Sequence, residues 1–351
     1  SGHSKPVTCL NYSPQSDRVV TGSKDETLIL WNLWKAATVK TLRGHTAGCL
    51  DVAITSDGRK VFSSGRDKLV RVWGVDDTKH KGWEPAQGYG PMQEYTKLFR
   101  KAKFPGVKCT SLMIQPGDKY MAMGYDDGAI EMMKVDNHTV DLKEQAHAGE
   151  ISGMEWSKDG LKLASCGHDR VVLVHQLTFY SDSPRSQLIW KEKAGLVNEM
   201  TVLHRFEFWP GVDQILHGIT FNGTDTELVV ACEDATGYVV DLEKGNIRKE
   251  LKGHAFRVTC LAYHPDGIWM ALGSYDSTVT VWHGETGLMR SKLRSFGGAV
   301  LCVRFLPFGP FLCVGAVDKS TKVFHVLTGE MQFSLSAHSL AVRKMCISSE
   351  G

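Results

Sequence analysis

Apolar and polar residues alternate at a spacing of two along much of this chain, in short runs cut by turn-forming residues. Near the start, Val7-Thr8-Cys9-Leu10-Asn11-Tyr12 runs into Ser13-Pro14. Arg18-Val19-Val20-Thr21 leads to Lys24-Asp25, and Thr27-Leu28-Ile29-Leu30-Trp31 follows. Alternation broken in this way predicts short antiparallel strands. The same arrangement returns from Gly253-His254: Val258-Thr259-Cys260-Leu261-Ala262-Tyr263, the turn His264-Pro265-Asp266-Gly267, then Gly273-Ser274-Tyr275-Asp276 and Val279-Thr280-Val281-Trp282. Ser56-Asp57-Gly58 and Lys158-Asp159-Gly160 fill the same slot as His264–Gly267, and Asp-Gly favours a tight hairpin.

An Asp stands six residues before a bulky or apolar residue seven times, at Asp25, Asp67, Asp127, Asp169, Asp234, Asp276 and Asp318. The partners are Trp31, Trp73, Met133, His175, Val240, Trp282 and Phe324, and the steps between aspartates are 42, 60, 42, 65, 42 and 42 residues. A period in the low forties with Gly-His and Trp signals predicts an all-β fold, a seven-bladed β-propeller of four-stranded antiparallel blades. The propeller is expected to span residues 1–335. The two long steps place insertions near 76–93 and 176–210. Glu94–Lys101 and Leu188-Ile189-Trp190-Lys191 are expected to be the outer strands beside them, with Phe206-Glu207-Phe208-Trp209 as extra chain. Such loops often carry function on a rigid scaffold, although loop closure makes long surface excursions tolerable.

Residues 336–351 open an eighth repeat with Ala337-His338 and Val342-Arg343-Lys344-Met345-Cys346-Ile347. The favoured expectation is a native chain that continues into a further propeller. An eight-bladed ring completed elsewhere in the native chain, or a terminal strand beside the first one, are the alternatives. Ser1-Gly2-His3 begins inside a repeat and without Met, as an excised piece would.

The 351 residues are 42% apolar and 23% charged with a net charge of +2, which gives no overall push toward nucleic acid or membrane. No apolar run is long enough to span a bilayer, so membrane insertion is not expected. Nine cysteines without a CxxC pair read as buried, reduced thiols of an intracellular protein, cytoplasmic in preference to nuclear.

The Gly-His, turn Asp and strand Trp pattern resembles the WD-repeat family over essentially the whole chain. That resemblance implies a hydrogen-bonded tetrad of His, Ser or Thr, Asp and Trp in each blade. Repeat one supplies His3, Thr21, Asp25 and Trp31; repeat two supplies His45, Ser63, Asp67 and Trp73. Repeat four has His147, Ser165 and Asp169 with His175 in the Trp slot. Repeat six has His254, Asp276 and Trp282, with Leu272 in place of the hydroxyl. Repeats three, five and seven lack the set and are expected to rely on packing. The His and Asp residues recur once per blade, which favours a structural role over a metal or catalytic one.

No phosphate loop, GxSxG elbow or HExxH pair is present, so neither a cofactor nor an enzyme activity is expected. Within the family, residues just before the turn Asp commonly meet partners. Here they are Lys24, Arg66, Asp126, His168, Glu233, Tyr275 and Val317, with the strand entries Pro6, Glu150 and Arg257 on the same rim. Arg257 and Tyr275 are residue types enriched at binding hot spots. The chain is therefore expected to be a non-catalytic scaffold for protein or peptide partners within a larger protein or complex. The alternative is an RNA-associated propeller of a ribonucleoprotein assembly, using Lys79, Lys81, Lys101 and Lys103 beside Trp83 and Phe104.

Overall fold

The alternating runs fold into seven antiparallel sheets of four strands each, every sheet made from one repeat in simple up-and-down order. The computed structural model describes residues 2–34, 37–75, 93–95, 106–179, 197–207 and 215–348. The first blade is formed by Val7–Ser13, Arg18–Ser23, Thr27–Asn32 and Ala37–Arg43. The sixth is formed by Val258–Tyr263, Trp269–Ser274, Val279–His283 and Met289–Leu293. The seven sheets follow one another in a ring, a seven-bladed β-propeller. No described helix is long and apolar enough to cross a membrane.

The middle strands are buried on both faces between neighbouring blades. Leu28, Leu30 and Leu42 of blade one pack with Cys49, Val52 and Trp73 of blade two. Val281 and Leu293 of blade six meet Val300, Val314 and Phe324 of blade seven. Burying one such side chain contributes about 1.5–3 kcal/mol. A hydroxyl on the second residue of the inner strand fastens several of these joints. Thr8 Oγ1 donates to Cys49 O at 2.7 Å, Thr110 Oγ1 to Ile151 O at 2.9 Å, and Thr259 Oγ1 to Val300 O at 2.5 Å. Blade five has His217 at this position, and that side chain points to a different task.

Of the outer strands beside the two long steps, that of blade four differs from expectation. In blade four, Val171–Phe179 pairs with Val197–Glu207, and Leu188–Lys191 lies outside the described residues. Phe206, expected as extra chain, belongs to that outer strand and is buried, because it pairs with Val172 and joins the core against blade five. In blade two the outer strand is Gln93–Tyr95, and the remainder of Glu94–Lys101 lies outside the described residues. Residues 336–348 follow blade seven without joining a sheet.

Candidate functional site

The rim of the ring is set by the seven turn aspartates. In each blade the Asp Oδ1 accepts the N–H two residues on: Thr27, Leu69, Ala129, Val171, Thr236, Thr278 and Ser320, at 2.9–3.3 Å. The residue between them takes a left-handed φ of 62–86° in every blade. The residue before each Asp is pinned as well. Lys24, Arg66, Asp126, His168, Glu233, Tyr275 and Val317 donate their N–H to the carbonyls of Pro6, Gly48, Lys108, Glu150, Ile215, Arg257 and Ala299, at 2.8–3.0 Å. One repeated backbone bond thus carries all seven predicted side chains to the same end of the ring.

The tetrads stand beneath this rim. His3 Nδ1 lies 3.1 Å from Asp25 Oδ2 and its Nε2 lies 2.8 Å from Thr21 Oγ1, which accepts Trp31 Nε1–H at 2.8 Å. His45, Ser63, Asp67 and Trp73 repeat the relay at 2.9, 2.8 and 2.8 Å. His147 joins Asp169 at 3.0 Å and Ser165 at 2.9 Å; His175, in the Trp slot, is fully buried with Nε2 3.6 Å from Glu144.

Blade six corrects the expectation of a missing hydroxyl. Leu272 has Thr280 as its cross-strand partner, and Thr280 Oγ1 takes over: it lies 2.8 Å from His254 Nε2 and accepts Trp282 Nε1–H at 2.8 Å. Thr280 is four residues after Asp276, and that position also corrects the reading of blades five and seven as held by packing alone. Tyr238 donates its hydroxyl to Asp234 at 2.5 Å, and Lys322 donates to Asp318 at 2.9 Å. In blade two the same position is Arg71, 2.6 Å from Asp67. Aligning the residue four after each Asp was the sequence signal for this. Its variety of Ile, Arg, Glu, Leu, Tyr, Thr and Lys hides a shared place.

Burial opposes ionisation of these carboxyls, yet donated hydrogen bonds outweigh it. Bonds from Thr27 and Ser4 hold Asp25 at about 2, and bonds from Thr278 and Ala255 hold Asp276 at about 2. His45, Thr46 and Arg71 hold Asp67 well below the usual range. These His and Asp residues are thereby consumed within their own blades. Among the described residues no three His, Cys, Asp or Glu side chains gather as metal ligands would.

On the rim itself the structure joins Arg257 and Tyr275 of blade six to Glu233 and His217 of blade five. The Arg257 guanidinium lies 4.5 Å from the centre of the Tyr275 ring, and its Nη1 is 3.2 Å from Glu233 Oε1. The other Glu233 oxygen meets His217 Nε2 at 2.5 Å. Burial of Glu233 works against its charge, but His217 and Arg257 hold the carboxyl below its ordinary value. Tyr275 is 51% exposed, and Phe256, next to Arg257, is 62% exposed. The sequence reading missed His217 and Phe256; His217 was marked only by replacing the hydroxyl that Thr8 and Thr259 carry.

Elsewhere the rim is more dispersed. Lys24 and Arg66 are exposed on blades one and two. Asp126 Oδ1 accepts Lys108 N–H at 2.8 Å, which ties it to the loop, and His168 and Glu150 approach only to 4.0 Å. Lys79, Lys81, Trp83, Lys101, Lys103 and Phe104 lie outside the described residues.

Comparison with known proteins agrees with this geometry. The family described as "WD domain, G-beta repeat" matches residues 1–32, 36–74, 139–176, 245–283 and 290–325, more than half of the chain. Apoptotic protease-activating factor 1 of Rattus norvegicus is 21% identical over 319 residues, covering 81% of this chain and 26% of its own length. Echinoderm microtubule-associated protein-like 2 of the same species is 22% identical, covering 80% and 37%. This chain thus spans well under half of either relative. A guanine nucleotide-binding protein subunit beta of Oryza sativa subsp. japonica is 21% identical, covering 80% and 81%. Among solved structures, Chaetomium thermophilum Sqt1, bound to the N-terminus of the ribosomal protein L10, superposes with a TM-score of 0.76 at 18% identity. That match covers 96% of this chain and 89% of the other, and at this identity it speaks for the fold.

Proposed function

Because the chain belongs to the WD-repeat family, whose propellers typically mediate protein interactions and are generally non-catalytic, we propose that it is a non-catalytic scaffold that captures a protein or peptide on its rim. The observation that carries this reading is the cluster of His217, Glu233, Arg257 and Tyr275 with Phe256 beside it. A guanidinium held by a carboxylate and stacked on an exposed aromatic ring is pre-ordered, so binding there costs little further side-chain entropy. Aromatic and Arg residues dominate the energetics of protein interfaces. Sqt1 supports the reading by analogy, since it is a propeller of similar shape seen with a segment of another protein.

The test is affinity capture of interacting proteins from extract of the source cells by the parent chain and by a variant carrying Arg257→Glu and Tyr275→Ala. The double variant is expected to lose capture by at least about 30-fold, the equivalent of about 2 kcal/mol. Its unfolding transition should stay unchanged. Undiminished capture by a folded double variant would place the binding surface elsewhere. We also place the protein inside the cell, in the cytoplasm in preference to the nucleus. The nine free cysteines support an intracellular location, since a reducing compartment keeps such thiols unpaired. Fluorescence microscopy of the tagged full-length protein tests this, and a nuclear or secreted signal would overturn it.

A further inference from the structure

The rim above blades one and two carries charge of one sign. Lys5, Lys24 and Arg43 of blade one and Arg66 and Lys68 of blade two are exposed, with Glu26 as the exposed carboxylate between them. Asp25 and Asp67 are already committed to His3 and His45. Among the described residues, none of these five cations forms an ion pair. Cations elsewhere on the rim are offset: Arg257 meets Glu233 at 3.2 Å, Lys322 meets Asp318 at 2.9 Å, and Lys292 lies 3.8 Å from Asp276.

A glycine brings two of them to one place. The residues that enter the inner strands are Pro6, Gly48, Lys108, Glu150, Ile215, Arg257 and Ala299, so blade two alone has no side chain there. Gly48 O accepts the N–H of Arg66 at 2.9 Å, and a Cβ on Gly48 would lie 3.1 Å from Lys24 Cα. Glycine thus lets the turn of blade one close on the strand entry of blade two, with Lys24 on one side and Arg66 on the other. Lys5 is tied to the same turn, because its carbonyl accepts the Ser23 hydroxyl at 2.9 Å, and Arg43 pairs with Thr27 just beyond it. In blades four and six the entry side chain meets the residue before the turn Asp. Glu150 lies 4.0 Å from His168, and the Arg257 guanidinium 4.5 Å from the Tyr275 ring centre. Blade two has a notch in that place, floored by backbone and flanked by two cations.

We propose that this notch seats a carboxylate from an acidic segment of a partner protein, in the place that Glu150 fills in blade four. Lys24 and Arg66 hold the carboxylate from two sides, and hydrogen bonds between ionised groups are the strong ones. Lys5, Arg43 and Lys68 attract the acidic residues on either side of it, which favours encounter and orientation more than final affinity. A protein segment fits better than a nucleic acid. Single strands are held by aromatic rings on which bases stack, and the exposed rings of the described rim, Phe256 and Tyr275, stand on blade six. The notch belongs to blades one and two, apart from the Arg257 cluster of blades five and six, and binding at either does not require the other.

The probe is a fluorescent synthetic peptide of alternating Glu and Ser, titrated into the folded chain beside a Gln-for-Glu peptide and oligothymidylate. We expect saturable binding of the Glu peptide that weakens with added salt, and at least about tenfold weaker binding of the other two. Lys24→Glu with Arg66→Glu should weaken the Glu peptide at least about tenfold. Arg59→Glu with Lys119→Glu is an equal change of charge in turns at the opposite end of the ring, and should weaken it far less. Gly48→Glu should block the peptide by supplying the carboxylate from the chain itself. Circular dichroism checks that each variant is folded. The chain with Arg257→Glu and Tyr275→Ala should bind the Glu peptide as the parent does. Absence of Glu-peptide binding, equal losses in the two charge-reversed pairs, or unimpaired binding by the folded Gly48→Glu chain overturns the proposal. Oligothymidylate binding as tight as that of the Glu peptide assigns the sector to nucleic acid and overturns it too. Loss of the peptide in the Arg257 variant moves its seat to blade six and has the same consequence.

Discussion

Thr280 does in blade six what Thr21, Ser63 and Ser165 do from the neighbouring strand in blades one, two and four. Replacing it with Val leaves Trp282 Nε1 without an acceptor and His254 Nε2 with only Leu272 O at 3.2 Å. Thr280→Val is expected to lower the unfolding free energy by about 1–3 kcal/mol, and Thr280→Ser by much less. Equal urea midpoints for the two variants would contradict the relay. Asp25 and Asp276 set a pH dependence of known sign. Their carboxyls sit at about 2 in the folded chain against an ordinary 3.8, so the folded state binds fewer protons than the unfolded one. The stability they contribute is fully present above about pH 4 and is lost as pH falls toward 2. Denaturant titrations across that window should show it, with a shallower decline for Asp25→Asn. The aspartates themselves were legible in the sequence because a fixed turn places them at a fixed interval. Their donors were less legible, since a hydroxyl, a phenol or an ammonium can reach one carboxylate from a single position.

At the scale of the strand and its turn, Gly128 occupies the left-handed place after Asp127, with φ of +86°. A Cβ there would lie only 2.1 Å from the His147 carbonyl oxygen, a backbone atom that cannot step aside. Gly128→Ala should therefore cost more than about 1 kcal/mol, read as a lower thermal midpoint. Lys68 and Ser277 hold the equivalent place at φ of 70° and 62°, so the cost arises from the neighbour at least as much as from the dihedral. Inner strands such as Ile151–Trp156 are buried only at intervals. Middle strands were readable as short, nearly continuous apolar runs because both their faces are buried between blades, as in Lys162–Gly167 and Glu227–Cys232. The outer strand of blade four was not: Val197–Glu207 is half polar, and Phe206 looked like surplus aromatic chain until its pairing with Val172 put it in the core. Outer strands face a neighbour on one side only, and their pattern weakens accordingly.

Across the whole ring, the segment after blade seven is tied to blade two through Lys344 and Asp51. Lys344→Met should release it, with faster hydrogen exchange at Val342 and quicker tryptic cleavage after Arg343. Unchanged exchange would show that the Val342 N–H on Ala316 O holds the segment alone. The ring also decides which rim residues act together. Glu233 and Arg257 are 24 residues apart and belong to different repeats, yet adjacent blades bring them to 3.2 Å. Sequence alone determined the number of blades, the strand order and the positions of the turn aspartates, because each follows from a local period and local turn chemistry. Only the tertiary structure decided that His217 and Glu233 join Arg257, and that Phe206 enters the core against blade five. Those facts depend on which side chains the ring brings across a joint, and no repeat contains its own neighbour.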